Sequence, residues 1–234
     1  MEHATDTTNP TTTGSTVTLD PGPLAADDPR LVFAHAVATA GAVIARTAPD
    51  QLDLTTPCDQ FDVRTLLGHL VAVLGRVTVL GRGEPAMSAP QIVTGVADDH
   101  WSNAWRSAAH GVQSVWQDDA LLEGTYVLPW ATKTGPELLL TYASEVSVHT
   151  WDLARATGQE VTWHEPTLAA AYENMVEALP GEGRVAAFAA FRAKMPPPMR
   201  DAPAPFDEVV QVAADAPMID RLVAWNGRRP DWQR

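Results

Sequence analysis

A chain of 234 residues, 45% of them hydrophobic, is long enough to bury a sizeable core and reads as a globular protein. Its formal net charge of −13 and pI near 4.8 argue against nucleic acid and anionic membrane as partners, because both would repel it before specific contacts formed. A single cysteine, Cys58, excludes an internal disulfide and fits a reducing cytoplasm, which leaves small molecules as the expected partners.

Residues 1–27 read as a disordered leader, rich in Thr, Asp and Pro. They carry neither a basic n-region nor an apolar h-region, so neither a signal peptide nor a membrane-spanning segment is expected there. The remainder, 28–234, is expected to form one helical domain. A first helix is predicted from Asp28 to Thr47, with Pro29 at its first position and Phe33, Val37, Ala40, Val43 and Ile44 along an apolar surface. Asp62 precedes a second, over about Val63 to Leu80, in which Leu66, Leu70, Val73, Leu74 and Val77 recur at three and four.

Gly81, Gly83, Pro85 and Pro90 mark a long connection to a third helix. Its stripe of Trp101, Trp105, Val112 and Trp116 follows the helical period and reads as core packing rather than as a cofactor box. The segment from Gly124 to Gly135 is expected to be a loop or short hairpin and a candidate lid. A fourth helix runs from Pro136 to a C-cap at Gly158. Shorter helices are predicted at Glu165 to Leu179, Val185 to Lys194, and from Asp215-Ala216-Pro217 to Asn226, with Pro196, Pro197 and Pro198 breaking the chain. Long helices joined by irregular connections predict an all-α fold, a four-helix bundle with additional C-terminal helices.

Within this pattern the candidate metal ligands are Glu145, His149 and His69. Glu145 and His149 are four apart, an advance of about 400° and about 6 Å, so their side chains share a face and can grip one ion. His69 lies on the apolar side of the second helix, where a polar group needs a partner. A Glu and a His at this spacing are also a common surface pair, so the spacing alone is a weak motif. Asp152, three residues after His149, is placed either to orient that imidazole or to pair with Arg155 or Arg76. Those two arginines are candidate binders of a carboxylate on a substrate or thiol. Cys58 stands in a Pro-bounded turn and reads as a small packing residue.

Thr56-Pro57-Cys58, Phe61-Asp62-Val63-Arg64-Thr65-Leu66-Leu67-Gly68-His69-Leu70 and the run from Glu145 to Gly158 resemble mycothiol-dependent maleylpyruvate isomerase-like proteins of the DinB superfamily, an actinobacterial subgroup. The close from Asp215 through Gly227-Arg228-Arg229-Pro230 to Trp232 is similar as well. The resemblance implies a DinB-like bundle holding a divalent metal, usually zinc, through His69, Glu145 and His149. It implies mycothiol or a similar small thiol as cosubstrate. Phe61 departs from the family's usual Trp, and Gly68 from its usual Asn.

Three protein ligands on zinc leave a position open for an exchangeable group, the arrangement of a catalytic site. A thiol bound there would lose its proton and attack an electrophile, giving a transferase or isomerase. The same ligand set suits Ni2+ or Fe2+. A metal-dependent hydrolase and a non-enzymatic small-molecule-binding bundle are the alternatives. The expected partners are a small-molecule electrophile and a thiol, with no nucleic acid and no membrane, and a homodimer is compatible with this reading.

Overall fold

Three of the four long helices begin at side chains that satisfy their first backbone amides. In the computed structural model, which describes Leu24, residues 28–195, Arg200 and residues 206–234, helix α1 (Pro29–Ala45) starts where Asp28 accepts from the Arg30 amide at 2.8 Å. Helix α2 (Val63–Gly81) starts where Asp62 accepts from the Thr65 amide at 2.7 Å. A turn over residues 82–100 leads to α3 (Trp101–Trp116), and a hairpin of β1 (Thr125–Val127) and antiparallel β2 (Thr132–Thr134) follows. The hairpin hands over to α4 (Gly135–Thr157) at Thr134, whose backbone amide donates to Glu137 at 2.7 Å in a reciprocal capping box. Helix α4 ends at Gly158 in the left-handed conformation.

The four long helices close into a ring, with α1 against α4 and α3, and α2 against the same two. Leu66, Leu70, Val73 and Leu74 of α2 meet Val37, Ala40 and Val43 of α1 and Leu138, Leu139 and Val146 of α4 in one buried core. The α3 tryptophans are core residues as their period predicts. Trp105 donates from its indole to the Val37 carbonyl at 3.3 Å and Trp116 to that of Val77 at 3.0 Å. Helix α2 is long and apolar enough to cross a bilayer, yet its apolar face is buried inside the bundle.

Helices α5 (Glu165–Ala178), α6 (Arg184–Arg192) and α7 (Met218–Trp225) follow. Val148 and Trp151 of α4, Leu168 and Ala171 of α5, and Ile219, Leu222 and Val223 of α7 form a second core. That core, with Trp232 packed against it, holds the C-terminal segment against the flank of α4, which matters for the site. An all-α fold is thereby present, bundle and C-terminal helices included. The leader, apart from Leu24, and Pro196–Pro198 lie outside the described residues.

The hairpin packs at the head of α4 through Tyr126, whose ring lies 5.3 Å from that of Trp116 and whose hydroxyl donates to the Leu121 carbonyl. Glu145 sits about 16 Å further along α4, eleven residues at the helical rise. Among the described residues it is the connection after α2, not the hairpin, that bonds to a candidate ligand.

Candidate metal centre

Helix α2 presents His69 and helix α4 presents Glu145 and His149 to one another across the bundle. His69 Nε2 is 3.0 Å and His149 Nε2 3.6 Å from the same oxygen, Glu145 Oε1, and the three ligand atoms all lie within 4.8 Å of one another. The imidazoles meet edge to face at 4.8 Å, and Phe61 packs on both rings, at 5.2 Å from His69 and 6.3 Å from His149. The two histidine side chains are about one-tenth exposed, whereas that of Glu145 is 39% exposed, so the centre opens to solvent on the carboxylate side.

Each imidazole is held from behind. Asp152, fully buried, accepts from His149 Nδ1–H at 3.0 Å, the first of the two roles its spacing allows. Asp152 is itself gripped by Arg228, whose Nε lies 3.1 Å from Oδ1 and Nη2 3.1 Å from Oδ2. For His69 the partner is the Gln91 main-chain carbonyl, 3.3 Å from Nδ1. Gln91 belongs to a strap laid directly on α2, pinned by the Val93 amide donating to the Gly68 carbonyl at 3.0 Å. A Cβ at Gly68 would stand 2.3 Å from the Val93 oxygen, so a side chain there would lift the strap. Gly68 therefore has a physical role next to the candidate ligand.

This geometry fits a cation. A carbonyl and a carboxylate only accept, so they commit Nδ1–H of both rings, and both Nε2 atoms then face a carboxylate oxygen. That oxygen is satisfied by a metal ion among the three atoms, by imidazolium rings, or by a neutral His69 that donates from Nε2 at 3.0 Å and gives up the longer 3.3 Å contact to Gln91. The electrostatics divide the rings. Burial works against the charged form of His149, but Asp152 and Glu145 outweigh it and raise its pKa to about 9. Burial prevails at His69 and lowers its pKa, leaving a neutral ring against Glu145. Burial would raise Glu145, yet its bonds to His149 and His69 hold it well below the usual carboxylate range. Asp152 is likewise lowered despite burial, by Arg228 and His149.

Of the other candidates from the sequence, Arg155 is turned away from the centre. It is exposed, donates to the carbonyls of Pro230 at 3.2 Å and Trp232 at 2.7 Å, and stacks on Trp151, so it fastens the C-terminal segment instead of contacting the candidate ligands. Arg76 is buried within the bundle and donates to the Gln91 side chain at 3.1 Å. Cys58 is buried, as expected of a packing residue, and burial pushes its thiol up to about 11, although it lies within 4.8 Å of the ligand atoms of His149 and Asp152.

Sequence reasoning missed Arg228 and Gln91. Arg228 lies 76 residues from Asp152 and reaches it because the chain reverses at Gly227, where φ is +82° and a Cβ would meet the Asp207 backbone at 2.8 Å. The only signal for Arg228 was its place in the Gly227-Arg228-Arg229-Pro230 run, and Gln91 had none.

Fold and site together define an all-α protein whose bundle carries a candidate metal centre of two histidines and one carboxylate. Two uncharacterised proteins of Mycobacterium tuberculosis, one from strain CDC 1551 / Oshkosh and one from strain H37Rv, are each 29% identical to it over 201 residues, which cover 86% of this chain and 98% of each relative. No family model matches the chain. No solved structure matches it.

Proposed function

We propose that the protein is a metal-dependent, thiol-using transferase or isomerase, with His69, Glu145 and His149 holding a divalent cation, zinc in the first place. The observation that carries the metal is the convergence of two Nε2 atoms on one carboxylate oxygen, with an acceptor standing behind each Nδ1. A bound divalent ion would supply Lewis acidity, enough to deprotonate a small thiol at neutral pH. The resemblance of the three sequence motifs to mycothiol-dependent proteins is what favours a thiol, mycothiol or a similar one, over water as the activated group.

The chain's own residues have definite parts in this reading. Asp152, buttressed by Arg228, keeps the His149 proton on Nδ1 and so keeps Nε2 available. The Gln91 carbonyl does the same for His69. The 39% exposure of Glu145 leaves the open side through which thiol and electrophile would enter. Phe61 walls the other side of the imidazoles.

The test is metal content by mass spectrometry of the purified protein and of His69→Ala and His149→Ala, followed by thiol titration of a cobalt-substituted form. Near-stoichiometric metal that both substitutions abolish, with a thiolate-to-cobalt charge-transfer band on titration, is the expected result. Metal without that band would move the reading to hydrolysis by activated water or to a structural ion. Failure of the wild-type protein to take up metal on reconstitution would sink the centre.

A further inference from the structure

Arg76 is a buried cation without a counter-ion. It is 6% exposed, its Nη2 donates to the neutral Gln91 side-chain oxygen at 3.1 Å, and its buried Nε has no hydrogen-bond partner. No carboxylate among the described residues pairs with it. By contrast, Arg228 is neutralised by Asp152 and Arg30 by Asp28, while Arg184, which also lacks a carboxylate, donates to the Asp207 and Trp225 carbonyls far from the centre. Isolating a guanidinium from water without an opposite charge is costly, and an anionic ligand that reached it would offset that cost.

The surroundings specify that ligand. Nε–H and Nη2–H lie on one edge of the guanidinium and form the parallel fork that a carboxylate fills with both oxygens. Gln91 occupies only one prong, with an amide oxygen from an exposed side chain that can swing aside. A third donor stands nearby: the buried Tyr142 hydroxyl donates to no acceptor and lies beside Arg76, close enough to interact with its guanidinium. Tyr142 is one turn before Glu145 on α4, and Arg76 is two turns after His69 on α2. Helical side chains lean toward the helix N-terminus, which carries the Arg76 head group back toward His69, whose ring also feels its charge.

We propose that Arg76 and Tyr142 form a carboxylate-binding subsite beside the candidate metal centre, which takes the carboxylate of the electrophilic substrate in place of the Gln91 amide. The assignment to an electrophile rests on the thiol-using reading above; the subsite itself does not. Its work is to orient the substrate toward the centre, so the electrophile belongs to the class of small organic acids.

The full chain, 15N-labelled at arginine, tests this by titration with sodium acetate against sodium chloride at constant ionic strength, in zinc-loaded and metal-free forms. The Arg76 Nε–H resonance, identified by its loss in Arg76→Lys, should shift saturably with acetate and not with chloride in both forms. Tyr142→Phe, which keeps the ring in the core, should weaken the acetate response roughly fivefold. An Arg76 resonance that moves no further than in the chloride control overturns the subsite. A saturable shift in a protein that takes up no zinc sustains the subsite and refutes the metal reading alone. N-acetylcysteine and its amide should compete equally for the zinc-loaded protein; markedly tighter binding of the acid would mean that the thiol, not the electrophile, carries the carboxylate.

Discussion

Replacing Asp152 with Asn removes one charge while preserving shape, and two separate losses should follow. Asp152 is fully buried and accepts both from His149 Nδ1 at 3.0 Å and from Arg228 at 3.1 Å. Removing one partner of a buried ion pair costs about 3–5 kcal/mol, and because Arg228 keeps 11% of its side chain exposed the lower end applies, about 3 kcal/mol. Loss of the carboxylate behind a ligating imidazole typically weakens metal binding by about 10- to 100-fold. Urea denaturation of the metal-free protein reads the first effect, and competition for zinc with a chromophoric chelator reads the second. Arg228→Met should be destabilising for the converse reason, and the double substitution should cost less than the sum, because neither charge is then stranded. If Asp152→Asn stays within about 0.5 kcal/mol of wild type, as an ordinary surface substitution does, and zinc affinity changes less than about twofold, the account of the centre's support is wrong.

Three further outcomes are expected. The pKa of His149 in the folded protein is about 9, above its ordinary value of 6.5, so its stabilising contribution is complete below the ordinary value and is lost as pH rises through about 9. Chemical denaturation of the metal-free protein across that window should therefore show stability falling, by up to about 3 kcal/mol at 1.36 kcal/mol per pH unit, while zinc affinity rises; a flat profile would contradict it. Gly68→Ala places a Cβ 2.3 Å from the Val93 oxygen, so overpacking should cost about 1–3 kcal/mol. It should also accelerate hydrogen exchange at the Val93 amide and weaken zinc binding, and a protein unchanged in all three would mean that the strap does not hold His69. Cys58, with its thiol at about 11, should alkylate roughly a hundredfold more slowly than free cysteine in the native protein and at the ordinary rate in urea, which mass spectrometry of iodoacetamide adducts will decide.

The elements were legible because each leaves a local mark. Asp28-Pro29, Asp62 and Thr134-Gly135-Pro136-Glu137 open α1, α2 and α4 as their side-chain chemistry dictates, and Gly158 closes α4. The same locality exposed part of the site. Glu145, His149 and Asp152 sit at offsets of three and four on one helix, so their mutual reach follows from helical geometry alone. His69 joined them through its anomalous place on an apolar stripe together with the family resemblance.

What the sequence hid is what the tertiary fold decides. Arg155 and Arg76 looked equivalent, each one or two turns from a candidate ligand on its own helix, yet they have opposite fates. The second core, built from α4, α5 and α7, returns residues 230–232 over the flank of α4 and supplies Arg155 with carbonyl partners outside the centre. Arg76 points into the bundle because α2 is enclosed by α3 and α4, and the neutral partner it finds there comes from a connection whose path depends on Gly68, two turns earlier on the same helix. The two arginines differ in charge balance for that reason: one is solvated and donates to two carbonyls, the other desolvated with half of its fork unused. Helical offset therefore brought Glu145, His149 and Asp152 together but could not reveal the groups that would select a substrate, since those are set by which chain segments return across the bundle.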